Sequence, residues 1–415
     1  MKDAFKWFHT RRTQGSSLLI SLLSLGLLTQ GASASSESSA LSPNPTLEVV
    51  QSVPVETTLA VPGIRQTQTV WLEMIASARN TLDIEEFYID NQPGQALDPV
   101  ITAVQAAASR GVKVRLLVDL KFYKTYPKTP DLLSQTPNIE VKTIDFSSGV
   151  QHAKYFVVDQ SNAYLGSANF DWLALSHIHE IGLHLLDGEV AKNLESVFAK
   201  DWVSGVDVRG RNSRTTAVIP EPALAGVPAP EVDATAAAQP TGLKFLASPP
   251  ALNPTGIAPT LPALVQLLDS ARKSLRIQVY QYSTRPAKGG GKWLELDSAI
   301  RRAASRGVHV QLMVDAVALK VSSLELKALS SLKNVEVRSV VVPEWSGGHL
   351  AFARLIHSKY LTVDGSSSWV GTENWSEGYF TVSRNVGVIL QSTEVSHQLD
   401  QIFDQVWNSG YSSNL

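Results

Sequence analysis

His152-Ala153-Lys154-Tyr155-Phe156-Val157-Val158-Asp159, followed after six residues by Gly166-Ser167-Ala168-Asn169, decides how this chain is read. The pattern returns as His357-Ser358-Lys359-Tyr360-Leu361-Thr362-Val363-Asp364, then Gly371-Thr372-Glu373-Asn374. Every spacing agrees between the copies. A single His-x-Lys is worth little, because a half-exposed strand produces it as readily; two copies with matched downstream elements point to function. In extended chain alternate residues share a face, so His152 points with Lys154 and His357 with Lys359. The stretches Asp159-Gln160-Ser161-Asn162 and Asp364-Gly365-Ser366-Ser367 are turn-rich, which predicts a hairpin for each motif. Counting back from the turns places Asn169 opposite His152, Ser167 opposite Lys154, Asn374 opposite His357 and Thr372 opposite Lys359.

Each half then offers an imidazole, an ammonium, an amide and a hydroxyl. Two such patches face to face suit a phosphodiester. The lysines and the amides of Asn169 and Asn374 match the charge that builds on a phosphoryl group. One imidazole can attack phosphorus while the other protonates the leaving oxygen, and both roles suit a group that titrates near neutrality. The expectation is a reaction with no metal and no cofactor, since the lysines supply the charge a divalent ion would bring. Because both motifs lie in one chain, the site is expected to be complete without a second protomer.

The repeat extends beyond the motifs. Ser77-Ala78-Arg79-Asn80-Thr81-Leu82-Asp83-Ile84 matches Ser270-Ala271-Arg272-Lys273-Ser274-Leu275-Arg276-Ile277. Ala107-Ala108-Ser109-Arg110-Gly111-Val112-Lys113-Val114 matches Ala303-Ala304-Ser305-Arg306-Gly307-Val308-His309-Val310. Gly111 and Gly307 fall where a helix ends in a left-handed residue, and apolar strands alternate with helices. The predicted fold is α/β. Two similar halves each form a mixed, mostly parallel sheet flanked by helices, and a pseudo-twofold puts the active site between them. The halves are assigned to 63–212 and 243–415, joined by a Pro/Ala-rich linker over 213–242.

The 415 residues suffice for two cores, and the absence of cysteine excludes disulfides, thiolate metal sites and cysteine nucleophiles. Lys2, Lys6, Arg11 and Arg12 precede an apolar run from Leu18 to Leu28, with Ala32-Ser33-Ala34 after it. This reads as an export signal over 1–34 cut after Ala34, with an uncleaved anchor as the alternative, followed by a flexible leader over 35–62. A periplasmic or extracellular protein is expected. The formal net charge is −2 and becomes more negative once the basic leader is gone, so any polyanion must be held by a local basic pocket.

The paired motifs resemble those of the phospholipase D superfamily. Gly166-Ser167-Ala168-Asn169-Phe170-Asp171-Trp172, Gly371-Thr372-Glu373-Asn374-Trp375-Ser376-Glu377-Gly378-Tyr379-Phe380 and Phe245-Leu246-Ala247-Ser248-Pro249-Pro250 are similar to the branch of mammalian endolysosomal single-strand exonucleases and related poxviral proteins. The resemblance implies His152 as nucleophile, His357 as general acid, and Asp159 and Asp364 as structural braces. It implies a phosphodiester substrate, either single-stranded nucleic acid or, with peripheral membrane contact, phospholipid. It further implies that Glu180, fourteen residues after Gly166, orients a catalytic histidine, whereas the matching position is Asn385. On that basis His152 is expected to be the more basic ring. An inactive binding protein is the remaining alternative, which the intact His and Lys pairs disfavour. His177 and His179 lack a carboxylate at metal-ligand spacing, and Phe170, Trp172, Trp375, Tyr379 and Phe380 suit core packing or substrate stacking equally.

Overall fold

A computed structural model describes residues 47–211 and 242–415. The expected export signal and nearly all of the expected linker lie outside the described residues. Among those described, no helix is long and apolar enough to cross a membrane.

Each half is one mixed sheet with the same strand order. The first contains β1 (Leu47–Ser52), β2 (Thr81–Glu86), β3 (Lys113–Asp119), β4 (Ile139–Ile144), β5 (Tyr155–Val158), β6 (Asn162–Gly166) and β7 (Ile178–Leu185), arranged β4-β3-β2-β5-β6-β7-β1. The second contains β8 (Leu243–Ser248), β9 (Ser274–Val279), β10 (His309–Asp315), β11 (Val335–Val340), β12 (Tyr360–Val363), β13 (Ser367–Gly371) and β14 (Asn385–Gln391), arranged β11-β10-β9-β12-β13-β14-β8. Parallel pairing is confined to β2-β3-β4 and β9-β10-β11 and to short edge pairs. The rest of each sheet is antiparallel, because the motif hairpin and its neighbours return directly. The sheets are therefore less parallel than the strand–helix alternation predicted.

Helices α1 (Thr67–Ser77) and α2 (Asp98–Ser109) cover the outer face of the first sheet, and α4 (Thr260–Ser270) and α5 (Glu295–Ser305) that of the second. Gly111 and Gly307 follow α2 and α5 with φ of +95° and +89°, the left-handed stop that glycine takes without strain. The adjoining Arg110 and Arg306 donate to carbonyls of Ile75 and Leu268 at 3.2 Å, so these arginines tie helix to helix.

The inner faces are not two separate cores. Helices α3 (Gly188–Ser204) and α6 (Thr393–Trp407) share one apolar cluster with residues from both sheets, including Phe198, Leu194, Leu399 and Phe403. The two expected domains thus form one compact unit from Thr46 onward. The expected leader over 35–62 is also corrected in its described part. Val49 and Val50 are buried on opposite faces of β1, and Gln51 donates to the carbonyls of Val61 and Ile64 at 2.8 and 2.9 Å. A short strand followed by Pro54 resembles a leader in composition, but its pairing to β7 buries it.

A buried arginine–aspartate ion pair bridges the halves. The fully buried Arg384 binds Asp201 on α3 through two hydrogen bonds of 2.6 and 2.9 Å, and also donates to Ser248 and Leu252 carbonyls. Removing one partner of a buried pair typically costs about 3–5 kcal/mol. Arg384→Met is expected to lower stability by that order in urea unfolding, and a loss below about 1 kcal/mol would show that the bridge carries little.

Candidate active site

The site is built by exchange between the halves. The segment entering the first motif pairs with the second half at Gln151 and Arg384, and His152 N–H donates to the Arg384 carbonyl at 2.9 Å. Symmetrically, Leu355–Ile356 pairs with the start of β7, and His357 N–H donates to the His179 carbonyl at 2.9 Å. Each catalytic candidate therefore lies against the last motif strand of the opposite half. Asp119 and Asp315, at the ends of β3 and β10, fix these entries by accepting from the N–H of Gln151 at 2.8 Å and of Ile356 at 3.0 Å. Sequence reasoning missed both aspartates, although each closes a matched apolar strand, Leu-Leu-Val-Asp and Leu-Met-Val-Asp.

The hairpins form, with a register one residue away from the expected count. Val158 pairs with Asn162 and Val363 with Ser367, leaving three-residue loops rather than two. Asp159, Gln160, Asp364 and Gly365 take positive φ there. Lys154 and Lys359 consequently lie opposite Gly166 and Gly371, whose N–H groups they accept at 3.1 Å. Ser167 and Thr372 fall one step further on. Their hydroxyls accept from Ile181 N–H and Val386 N–H, both at 3.1 Å, and so brace the outgoing strands. Asp159 accepts the N–H groups of Arg79, Asn80 and Thr81 at 2.7–2.9 Å, and Asp364 those of Arg272, Lys273 and Ser274 over the same range. Burial alone would raise these two carboxyls, but the three backbone donors outweigh it and hold both below the ordinary range. Both sit at the far end of the hairpin from the histidines.

The exchange reverses one expectation. Glu180 does not serve His152. Its Oε1 lies 2.8 Å from Nδ1 of His357, while Nδ1 of His152 lies 2.9 Å from Oδ1 of Asn385. The Asn385 amide is oriented by its Nδ2, which donates to the carbonyls of Tyr379 and Ser383, so its oxygen accepts from the imidazole. His152 thus carries its proton on Nδ1 and presents a bare Nε2. His357 has the carboxylate, and the ring expected to be more basic is the one that lacks it.

Lys154 and Lys359 are buried, and each Nζ donates to the carbonyl of its own motif histidine. Burial lowers both histidines well below the usual imidazole range, and the charge of each lysine acts on both rings. Burial also pushes Lys154 down to about 7, against the raising influence of Glu86, Glu180 and Glu373. Burial drives Glu180 up to about 8, opposed by Lys359. Asn169 and Asn374 are buried, and the Oδ1 of each makes no hydrogen bond among the described residues. Rings complete the surroundings. Phe87 and Tyr379 stand edge-on to His152 at 5.0 and 4.7 Å, and Tyr280 stands edge-on to His357 at 4.9 Å. Phe170, Trp172, Trp375 and Phe380 are core residues, leaving Tyr379 as the one member of that aromatic set at the site. His179 is buried beside Ser358, and His177 stands edge-on to Trp172 and Trp345.

The chain belongs to the family described as "Cardiolipin synthase, PLD-like domain", whose profile matches residues 71–202 and 264–407. It is an enzyme of the phosphodiesterase class that this family comprises. A rat protein named 5'-3' exonuclease PLD3 is 32% identical over 88% of this chain and 80% of its own length. Phospholipase D Z of Dictyostelium discoideum is 30% identical over 88% of this chain and 90% of its own. Among solved structures, phosphatidylserine synthase from Haemophilus influenzae superposes with a TM-score of 0.59 at 14% identity, over 84% of this chain and 85% of that one, a likeness of fold.

The titrations set a pH dependence. As pH rises through about 7 Lys154 loses its charge, and near about 8 the Glu180–His357 pair loses its shared proton, so both losses act in the same direction. On the acid side burial keeps His152 neutral well below the usual imidazole range. We expect kcat/KM for a small chromogenic diester to hold at acidic pH and fall on the alkaline side. Glu180→Gln should remove the part of that fall due to the shared proton. A rate still rising above about pH 8 would contradict this assignment.

Proposed function

We propose that this protein hydrolyses phosphodiesters through a covalent phosphohistidine on His152, with His357 as acid and then base, and that its substrate is single-stranded nucleic acid. The observation that carries the reading is the unequal pairing of the two rings. Asn385 leaves His152 with a free Nε2 lone pair, whereas Glu180 lets His357 hold one proton more. His152 Nε2 attacks phosphorus, the bond to the leaving oxygen breaks, and His357 protonates that oxygen. His357 then takes a proton from water, whose oxygen attacks phosphorus and breaks the P–N bond, returning both rings to their starting states. Lys154 and Lys359 offset the phosphoryl charge throughout. The nucleophile and acid are those implied by resemblance, but Glu180 supports the acid.

The substrate reading is supported by relatives named 5'-3' exonucleases in rat and mouse. The relative named phospholipase D Z favours a second reading, a phospholipase or phosphatidyl transferase. The basic and apolar leader over 1–34 supports the reading of a cleaved export signal and a mature enzyme outside the cytoplasm.

The testing experiment gives purified protein a single-stranded oligonucleotide and, separately, mixed phospholipid vesicles with an added alcohol, each with and without EDTA. Oligonucleotide cleavage that persists in EDTA is expected. Vesicle cleavage alone would transfer the assignment to lipid, and loss in EDTA restored by zinc would sink the metal-free mechanism. His152→Ala should abolish turnover, and His357→Ala should lower it by about 10²–10⁴-fold while allowing label from substrate phosphate to accumulate on His152. Label on His357 would exchange the two roles.

A further inference from the structure

Leu120–Lys128 reads Leu-Lys-Phe-Tyr-Lys-Thr-Tyr-Pro-Lys, with three aromatic rings and three lysines in nine residues. It follows Asp119 at the end of β3. The equivalent stretch after Asp315, Ala-Val-Ala-Leu-Lys-Val-Ser-Ser-Leu, has no ring and one lysine. Aromatic side chains interleaved with basic ones suit single-stranded nucleic acid, whose bases stack while its phosphates seek cations. In a chain with formal net charge −2 such a segment is a local exception.

The rings form a continuous shelf leading away from His152. Asp119 caps the turn by accepting from the N–H groups of Lys121 and Phe122 at 2.8 and 3.1 Å. Phe122 packs on Phe87 at 3.9 Å between centroids, and Phe87 is the ring edge-on to His152. Tyr88 lies nearly parallel to Phe122 at 5.8 Å, and Tyr126 nearly parallel to Tyr88 at 4.8 Å, each with 22° between planes. The Tyr88 hydroxyl donates to Asp171 at 2.9 Å and accepts from Asn169 Nδ2 at 3.4 Å, which fixes the shelf to the catalytic amide. Tyr126 is half-buried, and its hydroxyl makes no hydrogen bond among the described residues. In the second half the positions of Tyr88, Phe122 and Tyr126 are Gln281, Ala318 and Ser322, so the shelf stands on one side of the histidine pair only.

The lysines divide by role. Lys121 is committed to the carbonyls of Ser147 and Gly149, with Asp145 at 3.9 Å. Lys124 and Lys128 are exposed and form no salt bridge among the described residues. Of the nearby acids, Asp131 is held by the Tyr123 hydroxyl at 2.6 Å, and the half-buried Asp90 feels the charge of Lys128.

We propose that the Tyr88–Tyr126 stack is a subsite for one nucleobase of a single-stranded substrate, with Lys124 and Lys128 holding the phosphates that flank it. This inference rests on the nucleic-acid reading of the same site and deepens it.

The test compares two oligonucleotides of equal length, one intact and one carrying abasic sugars next to the scissile phosphate. Base–aromatic stacking corresponds to about a 5- to 150-fold effect per base. Wild-type protein is expected to prefer the intact strand in kcat/KM. Tyr126→Ala should collapse that preference by a factor in this range, and Tyr126→Phe and Tyr126→Trp should retain it. Lys124→Ala with Lys128→Ala should reduce the slope of log affinity against log salt by about 1.4, from about 0.7 per single-strand phosphate contact. An intact-strand preference that survives Tyr126→Ala, or a wild type indifferent to the missing bases, overturns the subsite while leaving oligonucleotide hydrolysis in place. A wild type that cleaves vesicles but no oligonucleotide overturns the substrate reading instead, and the subsite with it.

Discussion

Everything at the candidate active site depends on two backbone hydrogen bonds that cross between the halves. His152 is pinned to Arg384, and His357 to His179. These bonds place each imidazole on the final motif strand of the other half, one residue from Asn385 or Glu180. Neither half holds a complete set of groups by itself. This explains why the halves share a core through α3 and α6, and why a fully buried Arg384–Asp201 pair lies immediately beside the site. A small relative displacement of the sheets would separate each histidine from its partner, and close packing resists such displacement.

The duplicated framework carries deliberate inequality. Backbone pairing, the braces Asp159 and Asp364, and the clamps Asp119 and Asp315 are the same in both halves. The side chains that decide chemistry are not. Glu180 faces Asn385 across the repeat, so one ring shares an acidic proton and the other does not. The aromatic side of the pocket is unequal too: Phe87 and Tyr280 match, but Tyr88, Phe122 and Tyr126 stand against Gln281, Ala318 and Ser322. Symmetry supplies two matched His–Lys–Asn sets, and the departures from it are what the proposed assignment of nucleophile, acid and nucleobase subsite rests on.

Burial is the common cause of the site's electrostatics. Enclosing two lysines, two imidazoles and Glu180 moves every one of them toward its neutral form. The pocket therefore carries less charge when empty than its residue types suggest. On the proposed mechanism, an incoming phosphodiester anion would favour the protonated lysines and the imidazolium form of His357.

Much of this was determined by the sequence alone, because repetition is a one-dimensional signal. Matched spacings revealed the motifs, the two halves, the candidate site residues and the hairpins, and Asp159 and Asp364 each accept three backbone N–H groups at the start of a neighbouring strand. What crosses between distant segments was decided only by the tertiary structure. Spacing cannot say that Glu180 reaches His357 rather than His152, since strand pairing between halves selects partners by geometry and not by separation along the chain. It could not fix the hairpin register, where one extra loop residue shifts every facing pair. Nor could it gather Tyr88, Phe122 and Tyr126 into a shelf, because two separate loops must meet before their rings can stack.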